Sequence, residues 1–304
     1  MAEFEQSTLG PDATVLEVNY RPDTPDPARV FRAMARLIDA FHQTDRDLAR
    51  AIHVSIEPVL LLQRVEAGSI RAILRTLLRQ INDDSLENLD WKPLVGQYLV
   101  KAKHKALRWL DRRTSLQSRT EVMRLQTEIM SLAPLPKPGQ LLLPEPVPPA
   151  RLLEDIKAIS EAMSELKEDD SAVYISAEEE TAIERDFQLT TEVIEAILTE
   201  DIVASETEER LLVKKPDYLG TSRWEFRLDD HPLEAKILDE PWLERFHRGE
   251  VVLKPGDSLR ALLRAEVLRG FEGNTVARRH FVLEVLGVDH GPSDDQEKLV
   301  LGSA

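Results

Sequence analysis

Two carboxylates and a lysine near the C-terminal third carry the most suggestive chemistry in this 304-residue chain. Pro216-Asp217 is followed by Glu234-Ala235-Lys236. Asp217 and Glu234 could hold a divalent ion, Mg2+ or Mn2+, while Lys236 orients or activates a water beside it. The pattern is short and arises often by chance. The same residues also read as a plain strand, with Leu233, Ala235 and Ile237 inward and Glu234 and Lys236 outward. A further predicted strand, 223–228, separates the two halves, so nothing in the spacing forces the carboxylates together.

Other reactive types are sparser. Asp229-Asp230-His231 could be a metal cluster, but neighbours on a strand point to opposite faces, and Asp, His and Pro are what turns contain. No two of the seven histidines stand four apart, the spacing of helix-borne zinc ligands. His104 sits in a lysine-rich stretch and is expected to be solvated. His53 and His280 read as hydrogen-bonded core residues in strands. There is no cysteine, which excludes disulfides, thiolate metal sites and cysteine nucleophiles. No nucleophile elbow or phosphate-cradling glycine loop occurs. Residues 270–273 read as a hairpin loop. Trp224, Phe226 and Trp242, like Trp91 and Trp109, read as core.

Charge is unevenly placed. The formal net charge is −16. Residues 154–210 hold 19 acidic and 4 basic side chains, whereas 92–124 hold 9 basic and 2 acidic. The basic block lies on a predicted helix, with Lys101, Lys103, Lys105, Arg108 and Arg112 near Tyr98 and Trp109. Such a face could contact phosphates and stack a base, or lie on an anionic membrane surface. The reading preferred is a face that meets the acidic segment of the same chain.

The elements that must position these residues follow from periodicity. Alternation over 14–20 predicts a strand with Leu16, Val18 and Tyr20 buried. Asp26-Pro27 opens a helix carrying Val30, Phe31, Met34, Leu37, Ile38 and Phe41 at helical spacing. A strand is expected over 53–66, irregular at Pro58. Ser69 then caps a helix with Ile70, Ile73, Leu74, Leu77, Leu78 and Ile81 as its stripe, ending at 82–84. Helices over 90–113 and about 116–132 follow. Residues 133–149 contain seven prolines and form neither helix nor ladder; 141–143 could anchor the run on a neighbour. Leu152, Ile156, Ile159, Met163 and Leu166 step at heptad spacing. Ser176 and Glu179 fit a capping box for a helix bearing Ile183, Phe187, Ile194, Ile197 and Leu198. From 211 the period becomes two, with strands at 211–215, 223–228, 233–238 and 280–288. A short helix is expected over 241–248. Residues 250–253 and 259–267 read as a hairpin around Pro255-Gly256-Asp257, although 259–267 also suits a helix.

The fold expected is α+β. Its parts are an N-terminal mixed β-α-β-α module with additional helices (1–132), a proline-rich linker (133–150), an acidic helical segment (151–200), a small antiparallel β barrel or roll (201–292) and a disordered tail (293–304). Hydrophobic residues, 42% of the chain, suffice for such cores. No secretory signal and no apolar run long enough to span a membrane is seen, so a soluble, cytoplasmic protein is expected. The function this favours is non-enzymatic: an intracellular binding or adaptor protein working through protein–protein contacts, without a cofactor, with self-association possible through the heptad stripe. The alternatives are a metal-dependent nuclease of the PD-(D/E)xK pattern, using Asp217, Glu234 and Lys236, and nucleic-acid binding through the basic helix.

Overall fold

The structure is a computed structural model and describes residues 9–10, 13–21, 26–66, 70–81, 86, 90–111, 113–134, 144–220 and 222–291. The fold is α+β, and the chain divides into two compact units, Met1–Ile197 and Leu198–Ala304.

The first unit is built on an antiparallel sheet of β1 (Ala13–Asn19), β2 (Ile56–Glu66), β3 (Ile70–Gln80), β4 (Ser171–Ser176) and β5 (Glu180–Ile183), in the order β2-β3-β1-β4-β5. Helices α1 (Ala28–Ile52) and α2 (Lys92–Leu110) pack on it, α4 (Pro149–Met163) packs on α1, and α3 (Arg119–Met130) contacts α2 and α4. Helix α5 (Thr191–Leu198) ends at the boundary. β1 is central and buried on both faces. Leu16 and Val18 are buried as the alternation predicts. On the opposite face Val15 meets Ile73 and Ile175, and Glu17 stays buried by pairing with Arg71 across the strand at 2.8 Å.

Four expectations are corrected here. First, 70–80 is strand β3, not a helix. Its Ile, Leu and Arg content suits a helix, but both of its edges are claimed by β1 and β2, and tertiary pairing overrides such preferences. Ser69 and 82–84 lie outside the described residues. Second, Ser176 and Glu179 form no capping box. They close the β4–β5 turn, where Ser176 N–H donates to Glu179 O at 2.8 Å and Glu179 N–H to Ser176 Oγ at 3.2 Å. Third, residues 171–183 complete the first sheet, so 151–200 is no separate helical segment. The proline run lies inside the first unit. Its residues 135–143, including 141–143, are outside the described set; beyond them Glu145 N–H donates to Ala51 O, and Val147 O accepts from Gln126 Nε2, both at 2.7 Å. Fourth, the heptad stripe is spent internally: Leu152, Ile156, Ile159, Met163 and Leu166 are all buried, which removes them as a self-association face. A smaller correction concerns β2. Pro58 sits in register with Leu78 on this edge strand, and the irregularity falls between Leu62 and Arg64.

The second unit is a closed barrel of β6 (Thr199–Lys215), β7 (Trp224–Leu228), β8 (His231–Ile237), β9 (Ser258–Gly270) and β10 (Thr275–Asp289), ordered β10-β8-β7-β6-β9. All pairs are antiparallel except β8–β10, which closes the ring in parallel. Three register shifts in β10 supply the curvature that closure requires. Trp224, Phe226 and Val282 share one core with Trp242, Leu243 and Phe246 of α6 (Glu240–His247). Asp239 caps α6 by accepting from Trp242 N–H at 3.1 Å, and its other oxygen accepts from Val285 N–H at 2.9 Å. Residues 259–267 are strand, and β9 pairs with β10 rather than with 250–253, which is irregular. The tail 293–304 lies outside the described residues.

Candidate functional site

The three residues of the divalent-ion pattern occupy different settings. Asp217 closes its own loop. Oδ1 accepts from Leu219 and Gly220 N–H at 3.0 and 2.9 Å, and Oδ2 accepts from Ser222 Oγ at 2.6 Å and Ser222 N–H at 3.0 Å. These bonds, the Ser222 hydroxyl foremost, hold its carboxyl well below the usual carboxylate range. Glu234 and Lys236 are exposed on β8. Glu234 stands opposite Glu225, which pairs with Lys215 at 3.2 Å. Among the described residues no group of three or more His, Asp or Glu side chains is placed to hold a metal. Asp229 and Asp230 have positive φ angles of 46° and 65° and form the two-residue turn between Leu228 and His231, the geometry such tight hairpins need. His231 Nδ1 lies 2.8 Å from Asp229 O within that turn.

The basic helix α2 is largely answered by acids of its own unit. Lys101 lies 3.8 Å from Glu178, Lys105 is 2.8 Å from Glu128, and Arg108 pairs with Glu179. Glu178 and Glu179 belong to the β4–β5 turn, so part of the acidic block meets the basic one here. Lys103 does not face solvent at all: it is buried and bonded to Asp45 at 2.6 Å. Burial pushes its pKa down, but Asp45 and Tyr174 outweigh that and raise it to about 12. It stays charged and is out of reach of any phosphate. Arg112 lies outside the described residues.

His104 corrects the expectation of a solvated side chain, being 1% exposed. Its Nε2 lies 2.9 Å from Ser176 Oγ and its Nδ1 2.8 Å from Thr181 Oγ1. Thr181 Oγ1 in turn donates to Glu179 Oε1 over a long 3.4 Å, and Tyr174 packs against the imidazole with 4.7 Å between ring centres. Burial lowers the His104 pKa to about 4, with Arg108 and Lys103 acting against the upward pull of Glu179. The imidazole is therefore neutral at physiological pH. His104 and Ser176 line a pocket of about 190 Å3 with Gln97, Val100, Lys101 and Ala177. Sequence reasoning missed this group because its members come from α2 and the β4–β5 hairpin, more than seventy positions apart.

The second unit offers a surface of a different kind. β6 pairs with β7 only over Leu212–Lys215, while its pairing with β9 runs back to Thr199. Among the described residues, no strand pairs with the other edge of 200–210. Residues 200–208 are exposed throughout. Ile202 and Val203, 52% and 42% exposed, stand among Glu200, Asp201, Glu206 and Glu208. Glu206 pairs across the ladder with Arg264 at 2.7 Å, in the register Glu206↔Arg264, and Asp201 stands in register with Arg269.

No helix among the described residues is long and apolar enough to cross a membrane. Compared with known proteins, the chain matches no family model, no curated protein and no solved structure.

Proposed function

We propose that this protein is a binding protein whose barrel captures a basic, extended segment of a partner protein along the open edge of β6. The observation that carries this reading is the stretch 200–210, laddered on one side only and exposed over 200–208. An edge strand presents a row of N–H and C=O groups ready to accept another strand. Main-chain bonds give such an added strand its affinity, and alternate side chains give it specificity. Glu200, Asp201 and Glu208 favour lysine or arginine on the incoming strand. The same carboxylates set like charges opposite one another if two β6 edges meet antiparallel, which disfavours a second copy of this chain.

The test uses a fluorescent peptide of alternating lysine and valine. Binding is expected to weaken with salt, to fall about tenfold or more in Glu200→Lys/Glu208→Lys, and to disappear when alternate peptide nitrogens of the probe are methylated. Equal binding of the methylated peptide would reduce the attraction to unstructured charge and overturn the reading. So would absence of binding by the parent peptide at low salt.

A further inference from the structure

The first unit holds a side-chain arrangement that the binding reading does not use. A hydroxyl has one proton to give. With the Thr181 proton on the side of Glu179 Oε1, 3.4 Å away, Thr181 Oγ1 accepts from His104 Nδ1–H at 2.8 Å. In this arrangement His104 carries its proton on Nδ1. That leaves Nε2 as an acceptor, facing Ser176 Oγ at 2.9 Å. Ser176 Oγ also lies a longer 3.3 Å from the carbonyl oxygen of Glu179. Its oxygen is fixed by the N–H of Glu179 at 3.2 Å. A serine hydroxyl aimed at a neutral imidazole, whose other nitrogen is oriented by a third group, is the working geometry of an activated nucleophile.

We infer that Ser176 is an acyl-accepting nucleophile, with His104 as its general base and Thr181 and Glu179 as positioning residues, in a pocket suited to short, activated acyl groups. The Ser176 proton passes to His104 Nε2 as Oγ bonds to the acyl carbon. The bond from that carbon to the leaving oxygen breaks, and the leaving oxygen takes the proton from Nε2. Water then repeats the sequence on the acyl-serine and restores the hydroxyl. The pocket volume, about 190 Å3, limits the acyl chain. The weak basicity that burial imposes on His104 limits the leaving group to good ones, since base catalysis falls with base strength.

The experiment treats the full chain with a small dialkyl fluorophosphate. Oγ then forms a bond to phosphorus, fluoride departs, and the proton again goes to Nε2. One adduct is expected by intact mass, mapping to Ser176 and absent in Ser176→Ala. Thr181→Val is expected to slow labelling about tenfold or more, while Thr181→Ser restores it; a role confined to packing would not make that distinction. His104→Gln, with its fold checked by circular dichroism, should label about a hundredfold more slowly. No adduct at Ser176 after hours at pH 8 overturns the proposal. Equal rates in the parent, Thr181→Val and a folded His104→Gln also overturn it, because Ser176 would then react without the imidazole. Peptide binding at β6 is scored separately, so either reading can fail alone.

Discussion

Two buried titratable side chains pull the stability of the first unit in opposite directions with pH. Asp155 on α4 is 4% exposed; burial first, then the nearby Asp47 and Asp45 against the opposing Arg151, push its pKa up to about 8. Between its ordinary value near 4 and that figure, the folded chain keeps a proton that the unfolded chain has released. The folded state is therefore favoured at the acid end of this window and loses stability as pH rises, by about 1.4 kcal/mol per unit. His104 behaves oppositely. Its pKa is lowered to about 4 from 6.5, so the unfolded chain binds the extra proton and stability falls as pH drops through that range. Below about pH 6.5 the two slopes nearly cancel; from there to pH 8 only that of Asp155 remains. Urea unfolding from pH 6.5 to 8 should accordingly show a downward slope that is absent in Asp155→Asn. Identical slopes in the two proteins would disprove the assignment. Neither residue announced itself in the sequence. The lysines flanking His104 suggested solvent, because helical neighbours reveal the local face and not the hydroxyls that a distant hairpin brings. By contrast, the tight-turn role of Asp229 and Asp230 was legible, since it depends only on adjacent residues.

At the scale of the element, what could be read was what local chemistry decides. The short helix expected over 241–248 is α6, and its Asp239 cap and first-turn Pro241 act within one helical turn. β3 was misread because its fate lies with β1, more than fifty positions earlier, and with β2. Seen from the pairing, Ile70, Ala72, Leu74 and Leu78 are buried on one face at a period of two, but Ile73 is buried on the other, and these leucines and isoleucines also suit a helix. Serine and glutamate three apart likewise make the same short-range bond in a hairpin turn as in a helix start, so that pattern did not discriminate. The heptad stripe of α4 is the sharpest case: its spacing was real, but its companion is α1 of the same chain. Ile156 is 1% exposed, and Ile156→Ala should cost about 2–5 kcal/mol by opening a cavity. Its sedimentation behaviour under native conditions should match the parent's. A dimer in the parent that dissociates in Ile156→Ala would return this helix to the role its heptads suggested.

For the whole molecule, two compact units with separate interiors imply two separable stabilities. The barrel has its own core, whose buried members run from Leu211 to Val282, with Val285 and Val288 packed against them. Ring closure leaves, among the described strands, stretches laddered on one side only in the extended part of β6, where charge guards the edge, and in the parts of β10 on either side of Phe281 and Val282. Its ends are also fastened locally. Buried Asp257 accepts from Lys254 N–H at 2.8 Å and Gly291 N–H at 3.1 Å, and His290 Nδ1 lies 3.0 Å from it. None of these contacts draws on residues before Leu198. The fragment 198–304 should therefore fold alone, keeping the blue-shifted emission of buried Trp224 and Trp242 and a cooperative loss of it on heating. Replacing Trp91 and Trp109 by phenylalanine makes the full chain report on the barrel only, and its denaturation curve should then overlay that of the fragment. A fragment with solvent-exposed emission, or with no cooperative transition, would show that the barrel depends on the first unit for its fold. In that case the open β6 edge could not be studied apart from the sheet that precedes it.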